Sequence, residues 1–233
     1  MLALAYDIHG NLPALQAALD DGRARGATRW LLGGDMVAFG AWPDETLGRL
    51  HELERTTWIR GNTERWLLDR SDLPAEHPLS AALTVCREAL GDVRSEALAL
   101  LPESARVGKR SAAWHGSPLS DMRSFAPETS EDDAELLAGV ADGRLFFGHT
   151  HLQFMRPASA GTVELVNPGS VGLPLDGDPR AAYALVHDDG QVELRRVAYD
   201  HAGSARALRE RFGDADWVGI VAGRIEHAQA TEA

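Results

Sequence analysis

Leu2-Ala3-Leu4-Ala5-Tyr6-Asp7-Ile8-His9-Gly10-Asn11 is an apolar run that ends in ligand-type side chains. Residues 2–6 suit a short buried strand. Asp7 and His9 follow at its end, and Gly10 permits the turn that lets both face one cation. Leu12, Leu15, Ala18 and Leu19 then recur at helical spacing with Pro13 in the first turn, so residues 12–25 are predicted helical. The pattern repeats. Residues 30–32 form a strand candidate ending in Gly33-Gly34-Asp35, and residues 43–53 a helix with Asp44 and Glu45 near its start. Residues 56–59 form a third strand candidate, ending at Gly61-Asn62. This alternation argues for a parallel sheet layered with helices. Ligands of such sheets bind beyond the carboxyl ends of the strands, where Asp7, Asp35 and Asn62 fall.

Residues 64–101 read as mostly helical, broken at Asp72-Leu73-Pro74 and Gly91-Asp92, and carry no ligand-like cluster. They are predicted to form a helical cap or flank. After Pro102 the texture becomes strand-rich. Residues 111–114 end at His115, and residues 145–147 end at Gly148-His149-Thr150-His151. Residues 153–156, 161–166, 182–187 and 191–197 suggest a meander, with turns at Ala160-Gly161 and Asp188-Asp189-Gly190. Residues 202–211 and 215–228 suit closing helices, and 229–233 a frayed end. No repeat or low-complexity linker interrupts the chain, so a single domain over residues 1–233 is expected.

The 233 residues are 44% hydrophobic, enough for a substantial core. No stretch has the apolar length of a membrane span. The opening residues lack the features of a secretion signal, and Cys86, the only cysteine, excludes an internal disulfide. Both fit a reducing cytoplasm. Cys86 shares an apolar helical pattern with Ala82, Leu83 and Leu90, so a buried hydrophobe is expected there rather than a nucleophile. The formal net charge of −12 argues against nucleic acid or an anionic membrane as partner. A small phosphorylated substrate remains compatible, because bound cations dominate the local field.

Asp7, His9, Asp35, Asn62, His115, His149 and His151 thus collect at strand ends. Taken singly, a Gly-Asp is usually a turn and a histidine a surface residue. Together, their oxygen and imidazole donors suit two hard or borderline divalent cations, and such a pair points to phosphoester hydrolysis. Asp35, behind two glycines, is placed to bridge two cations about 3.5–4 Å apart. A bridging water loses its proton readily, and the resulting hydroxide is the expected nucleophile. Mn²⁺ is the expected cation; Fe, Zn²⁺, Ni²⁺ or Co²⁺ also suit these donors. His51, His77, His187, His201 and His227 are assigned to solvent.

These residues resemble the calcineurin-like metallophosphoesterase superfamily, whose pattern is D-x-H, G-D, G-N-H-D/E, H and G-H-x-H. Val166-Asn167-Pro168-Gly169-Ser170-Val171-Gly172 and Asp7-Ile8-His9-Gly10-Asn11 resemble its small YfcE-like phosphodiesterase branch. The resemblance implies a four-layer α/β sandwich, with two mixed sheets face to face and helices outside. It implies one cation on Asp7, His9, Asp35 and His151, and another on Asp35, Asn62, His115 and His149. Asp35, Asn62 and His115 are the expected catalytic residues. A homodimer or higher homo-oligomer is compatible with the branch. One departure matters: the family's G-N-H-D/E reads Gly61-Asn62-Thr63-Glu64 here. Thr63 is no general acid near neutral pH, which favours a phosphodiesterase over a phosphomonoesterase or protein phosphatase. A non-catalytic metal-binding scaffold is the alternative from another class. Asn11, Thr63 and Arg65 are candidate substrate contacts, although capping of the following helix explains Asn11 better. Arg123 is a weaker oxyanion candidate, Phe39 and Trp42 are candidate pocket walls, and Glu64 a candidate support. Gly169-Ser170 reads as a turn supporting the metal site.

Overall fold

The computed structural model describes residues 1–73, 77–140, 142–159 and 161–230. Pro74 of the predicted helical break, Ala160 of the predicted turn and residues 231–233 of the predicted frayed end lie outside them.

Strands β1 (Leu2–Ala5), β2 (Arg29–Leu32) and β3 (Thr56–Trp58) pair in parallel, joined by α1 (Leu12–Ala24) and α2 (Pro43–His51). This is the predicted alternation, and it places three strand ends side by side. Helix α3 (Asn62–Trp66) starts directly at the third of them. Helices α4 (Leu79–Leu90) and α5 (Asp92–Ala99) follow, then β4 (Ser104–Arg106) and β5 (Ser111–Trp114). The short α6 (Asp133–Leu136) precedes β6 (Asp142–Phe146), β7 (Gln153–Pro157) and β8 (Thr162–Pro168). Strands β9 (Ala181–Val186) and β10 (Val192–Val197) and helices α7 (His201–Phe212) and α8 (Asp216–His227) complete the chain.

The strands form two mixed five-stranded sheets, ordered β10-β9-β1-β2-β3 and β4-β5-β6-β8-β7, with helices flanking them. The fold is therefore the expected α/β sandwich. Strand alternation explains how the layers adhere. Leu2, Leu4 and Tyr6 join Leu31, Ala113, Phe146 and Val166 in an apolar cluster that connects the two sheets. Ala3 and Ala5, one residue out of phase, belong to the cluster that α1, α2, α4, α7 and α8 complete. Each fully buried leucine in these clusters contributes about 1.5–3 kcal/mol. The outer cover of the second sheet is thinner. Phe125, Leu136, Leu137, Leu145, Phe147 and Leu165 close it, with α6 as the only helix there among the described residues.

One expectation needs correction. Residues 153–197 do not form one meander. Strands β7 and β8 make an antiparallel hairpin in the second sheet, while β9 and β10 cross over to the first. Ala181–Leu185 are buried on both faces, so β9 needs partners on both edges and finds them in β1 and β10. Within the expected helical cap or flank, α4 packs against α2 and α8, and α5 against α3 and α4. Cys86 is buried there as expected, and burial pushes its thiol up to about 12.

Candidate metal centre

The parallel strands of both sheets release the chain at one shared edge. From the first sheet, β1 delivers Asp7 and His9, β2 delivers Asp35, and β3 delivers Asn62. From the second, β5 delivers His115, and β6 delivers His149 and His151. Backbone pairing continues past β1 and β2: Asp7 N donates to Gly34 O (3.1 Å) and His9 N to Asp35 O (2.9 Å). Asp7, His9, Asp35, His149 and His151 all have φ between 50° and 69°. Left-handed backbone at non-glycine residues costs about 1–3 kcal/mol each and clusters at functional sites. Two glycines make room for the ligands. A Cβ on Gly61 would lie 2.2 Å from Asp35 Oδ1, and one on Gly34, at φ +92°, 2.7 Å from His115 Nδ1.

The seven predicted ligands are brought together. His9 Nε2 lies 3.1 Å from His151 Nε2. Asp7 Oδ1 lies 3.5 Å from His151 Nε2 and 3.9 Å from His115 Nε2. Asn62 Oδ1 lies 3.0 Å from both His115 Nε2 and His149 Nδ1. Asp35 divides its carboxylate: Oδ2 sits 3.8 Å from His9 Nε2 and Oδ1 3.5 Å from His115 Nε2. Asp7, His9 and His151 each offer a donor atom within 4.8 Å of the others, and so do Asp7, Asp35 and His115.

This donor set fits divalent cations. The Nδ1 atoms of His9, His115 and His151 face the carbonyls of Ala38 (3.2 Å), Gly33 (2.9 Å) and Leu173 (2.5 Å). Donation of Nδ1–H to a carbonyl fixes the tautomer and leaves each Nε2 as a bare lone pair turned inward. Asp7 Oδ1 is buried without a hydrogen-bond partner. Converging lone pairs and an orphaned carboxylate oxygen are unfavourable alone and are satisfied by a shared cation.

The electrostatics agree. Burial, reinforced by neighbouring His151, holds the His9 imidazole down at about 3. Burial and His115 hold His149 at about 4. Both rings are therefore neutral and ready to ligate near neutral pH. Burial pushes Asp7 up, but the imidazoles of His151, His115 and His9 outweigh it and keep the carboxyl well below its usual range. Burial raises Asp35, only partly offset by His115. His115 shows the opposite balance: burial lowers it, but Asp35 and Asp7 bring it above the ordinary imidazole value.

Supporting residues tie the loops together. Glu64 is fully buried, accepting from Asp35 N (2.7 Å), Met36 N (2.8 Å) and Gly61 N (2.8 Å). It thus caps α3 while fixing the Asp35 turn. Burial and the nearby Asp35 push its carboxyl up to about 7. Ser170 Oγ donates to Asp7 O (2.6 Å) and accepts from Leu173 N (2.8 Å). Asn167 donates to Gly148 O (3.2 Å) and Thr150 Oγ1 (3.0 Å). Sequence reasoning missed Asn167 as a support of the His149 turn, although it lies within the N-P-G-S stretch that reasoning singled out.

The predicted substrate contacts fare differently. Asn11 is buried and committed. Its amide donates to Gly172 O (2.8 Å) and Tyr199 Oη (3.1 Å), and its oxygen accepts from Ala14 N (3.4 Å) and Ser204 Oγ (3.1 Å). It caps α1 and has no spare donor for a substrate. Thr63 Oγ1 donates to Asp35 Oδ1 (2.9 Å), so it steadies a ligand. Arg65 donates through every guanidinium nitrogen to Asp72 and Asp121. Phe39 stacks on the His9 ring at 5.3 Å, whereas Trp42 packs into the helical layer of the first sheet. Arg123 is exposed and paired with Glu135.

Residues 1–191 match the family model described as the calcineurin-like phosphoesterase superfamily domain. The chain belongs to that superfamily, a family of metal-dependent phosphoester hydrolases. It is 29% identical over 222 residues to the uncharacterized protein MJ0912 of Methanocaldococcus jannaschii, covering 86% of this chain and 88% of that one. It is also similar to the crystal structure of a metallophosphoesterase from Sphaerobacter thermophilus, with TM-score 0.77 and 27% identity, covering 97% of this chain and 98% of that one. The YfcE phosphoesterase of E. coli shares the fold at TM-score 0.50 and 21% identity, over 84% of this chain and 99% of that one. Among the described residues, no helix is long and apolar enough to cross a membrane.

Proposed function

We propose that this protein is a two-metal phosphodiesterase. One observation carries the reading: the two oxygens of Asp35 face different imidazoles, His9 on one side and His115 on the other. A carboxylate so divided suits a bridge. Asp7, His9, Asp35 and His151 would hold one cation, and Asp35, Asn62, His115 and His149 the other. When bound, such a pair supplies an activated water and polarises the phosphoryl oxygens. The chain's own residues do the positioning. Carbonyl-tethered imidazoles keep their tautomers, Glu64 fixes the Asp35 turn, and Ser170 fixes the backbone of Asp7. Phe39 stacks on His9 and helps hold that ring.

Preference for a diester rests on position 63. Thr63 holds Asp35, and a hydroxyl is no acid for an alkoxide leaving group near neutral pH. Esters whose leaving group departs without a proton lose least. Steady-state kinetics on bis(4-nitrophenyl) phosphate and 4-nitrophenyl phosphate, which share one leaving group, test this in Mn²⁺-loaded protein. Higher kcat/KM on the diester is expected; a monoester preference contradicts the reading.

A further inference from the structure

Beside the metal centre, on the His115 side, lies a cavity of about 340 Å³. Arg60, Arg65, Asp72, Glu103, Trp114 and Asp121 are among its walls. Its size falls in the range of small-ligand pockets. Most of its charges are paired with one another. Arg65 donates to Asp121 through Nε (2.7 Å) and Nη2 (3.0 Å), and to Asp72 through Nη1 and Nη2 (both 2.9 Å). Arg60 donates to Ala99 O (2.8 Å) and to the Glu103 carboxylate, while its buried Nε has no partner among the described residues. Two guanidiniums thus stand against three carboxylates in the wall. A second phosphate here would face the wall's net negative charge, which disfavours it. What the wall does offer is carboxylate lone pairs, serine hydroxyls at Ser117 and Ser120, and the half-buried indole of Trp114. Carboxylates accept from sugar hydroxyls, and an indole supports a flat ring.

We infer that this cavity seats one organic group of the phosphoester and selects an uncharged, hydroxyl-bearing nucleoside over one carrying a second phosphate. The inference rests on the phosphodiesterase reading and deepens it. Exclusion of polyphosphorylated esters then comes from Asp72, Asp121 and Glu103, not from the cations.

The test compares thymidine 5′-(4-nitrophenyl phosphate) with the same ester bearing a 3′-phosphate, using Mn²⁺-loaded protein, with bis(4-nitrophenyl) phosphate as control. The 3′-phosphorylated ester is expected to show kcat/KM at least about tenfold lower. Asp121→Asn and Asp72→Asn free part of Arg65 and are expected to narrow that ratio about tenfold. Trp114→Ala is expected to raise KM for the thymidine ester more than it lowers kcat, with Trp114→Phe restoring it. Equal kcat/KM on the two thymidine esters, or an unchanged ratio in both Asn variants, overturns the inference while leaving the reading intact. Failure to hydrolyse even bis(4-nitrophenyl) phosphate removes the reading itself. Binding then decides the cavity: in chelator-treated protein, thymidine is expected to quench tryptophan fluorescence at lower concentration than thymidine 3′-phosphate. The reverse order overturns the inference there too.

Discussion

Asp35 shows most clearly how a single residue serves function against stability. Its carboxyl is buried, raised by that burial, and close enough to Asp7 and Glu64 for repulsion with each. Asp35→Asn removes one buried charge and the proposed bridge together. It is expected to abolish diester hydrolysis and to raise the unfolding midpoint of the metal-free protein, measured by calorimetry with chelator present. A lowered midpoint would mean that Asp35 is structural first. Glu64 behaves differently, because both its oxygens are used. In Glu64→Gln one oxygen becomes an NH₂ that faces a backbone N–H, Met36 N or its neighbours, with no acceptor. A loss of about 1–3 kcal/mol is expected in denaturant titration. The candidate ligands were legible in the sequence because imidazole and carboxylate declare their chemistry wherever they stand. Glu64 and Asn167 declare little: each acts on whichever backbone groups the fold brings near, and those come from other segments.

The segment from Asn167 to Leu173 joins the two halves of the centre. Asn167 holds the His149 turn, Ser170 holds Asp7, and Leu173 O receives His151 Nδ1. Ser170→Ala is expected to weaken Mn²⁺ binding about 10–100-fold while the fold persists, as calorimetric titration would record. Unchanged affinity would show that the segment only follows the ligands. Legibility at this scale tracks the range of the forces involved. Helix α1 and the strand ends of β1, β2 and β5 follow from local periodicity and sit where expected. The transfer of β9 and β10 to the first sheet depends on a pairing with β1 across more than half the chain, which no local pattern encodes. Strand β4, with three residues, and helix α6, with four, are too short to carry a period.

At the scale of the whole molecule, the buried imidazoles set the acid stability of the metal-free protein. His9 and His149 titrate at about 3 and about 4 when folded, against 6.5 when exposed. Between 6.5 and 4 the unfolded chain binds protons at these two rings that the folded chain refuses, so their contribution to stability falls as pH falls through that window. His115, raised on folding, acts in the opposite sense and offsets part of the loss. Glu64, raised to about 7, and Asp35, raised by burial, take up protons first in the folded state and offset more of it above about pH 4.5. Below that the lowered His9 ring and the lowered Asp7 carboxyl set the sign, and the chelator-treated protein is expected to unfold at lower denaturant at about pH 3 than at about pH 4.5. Mn²⁺ widens the gap, because protons compete with the cation for the same lone pairs. Equal midpoints at the two pH values would mean that the imidazoles are not held neutral by the fold.

The central claim is that seven residues from two sheets hold two cations for diester hydrolysis. Stepwise addition of Mn²⁺ to chelator-stripped protein, with bis(4-nitrophenyl) phosphate turnover followed at each step, tests it most directly. The rate is expected to reach its plateau at about two equivalents per chain. A plateau at one equivalent, or no turnover at any loading, would contradict it.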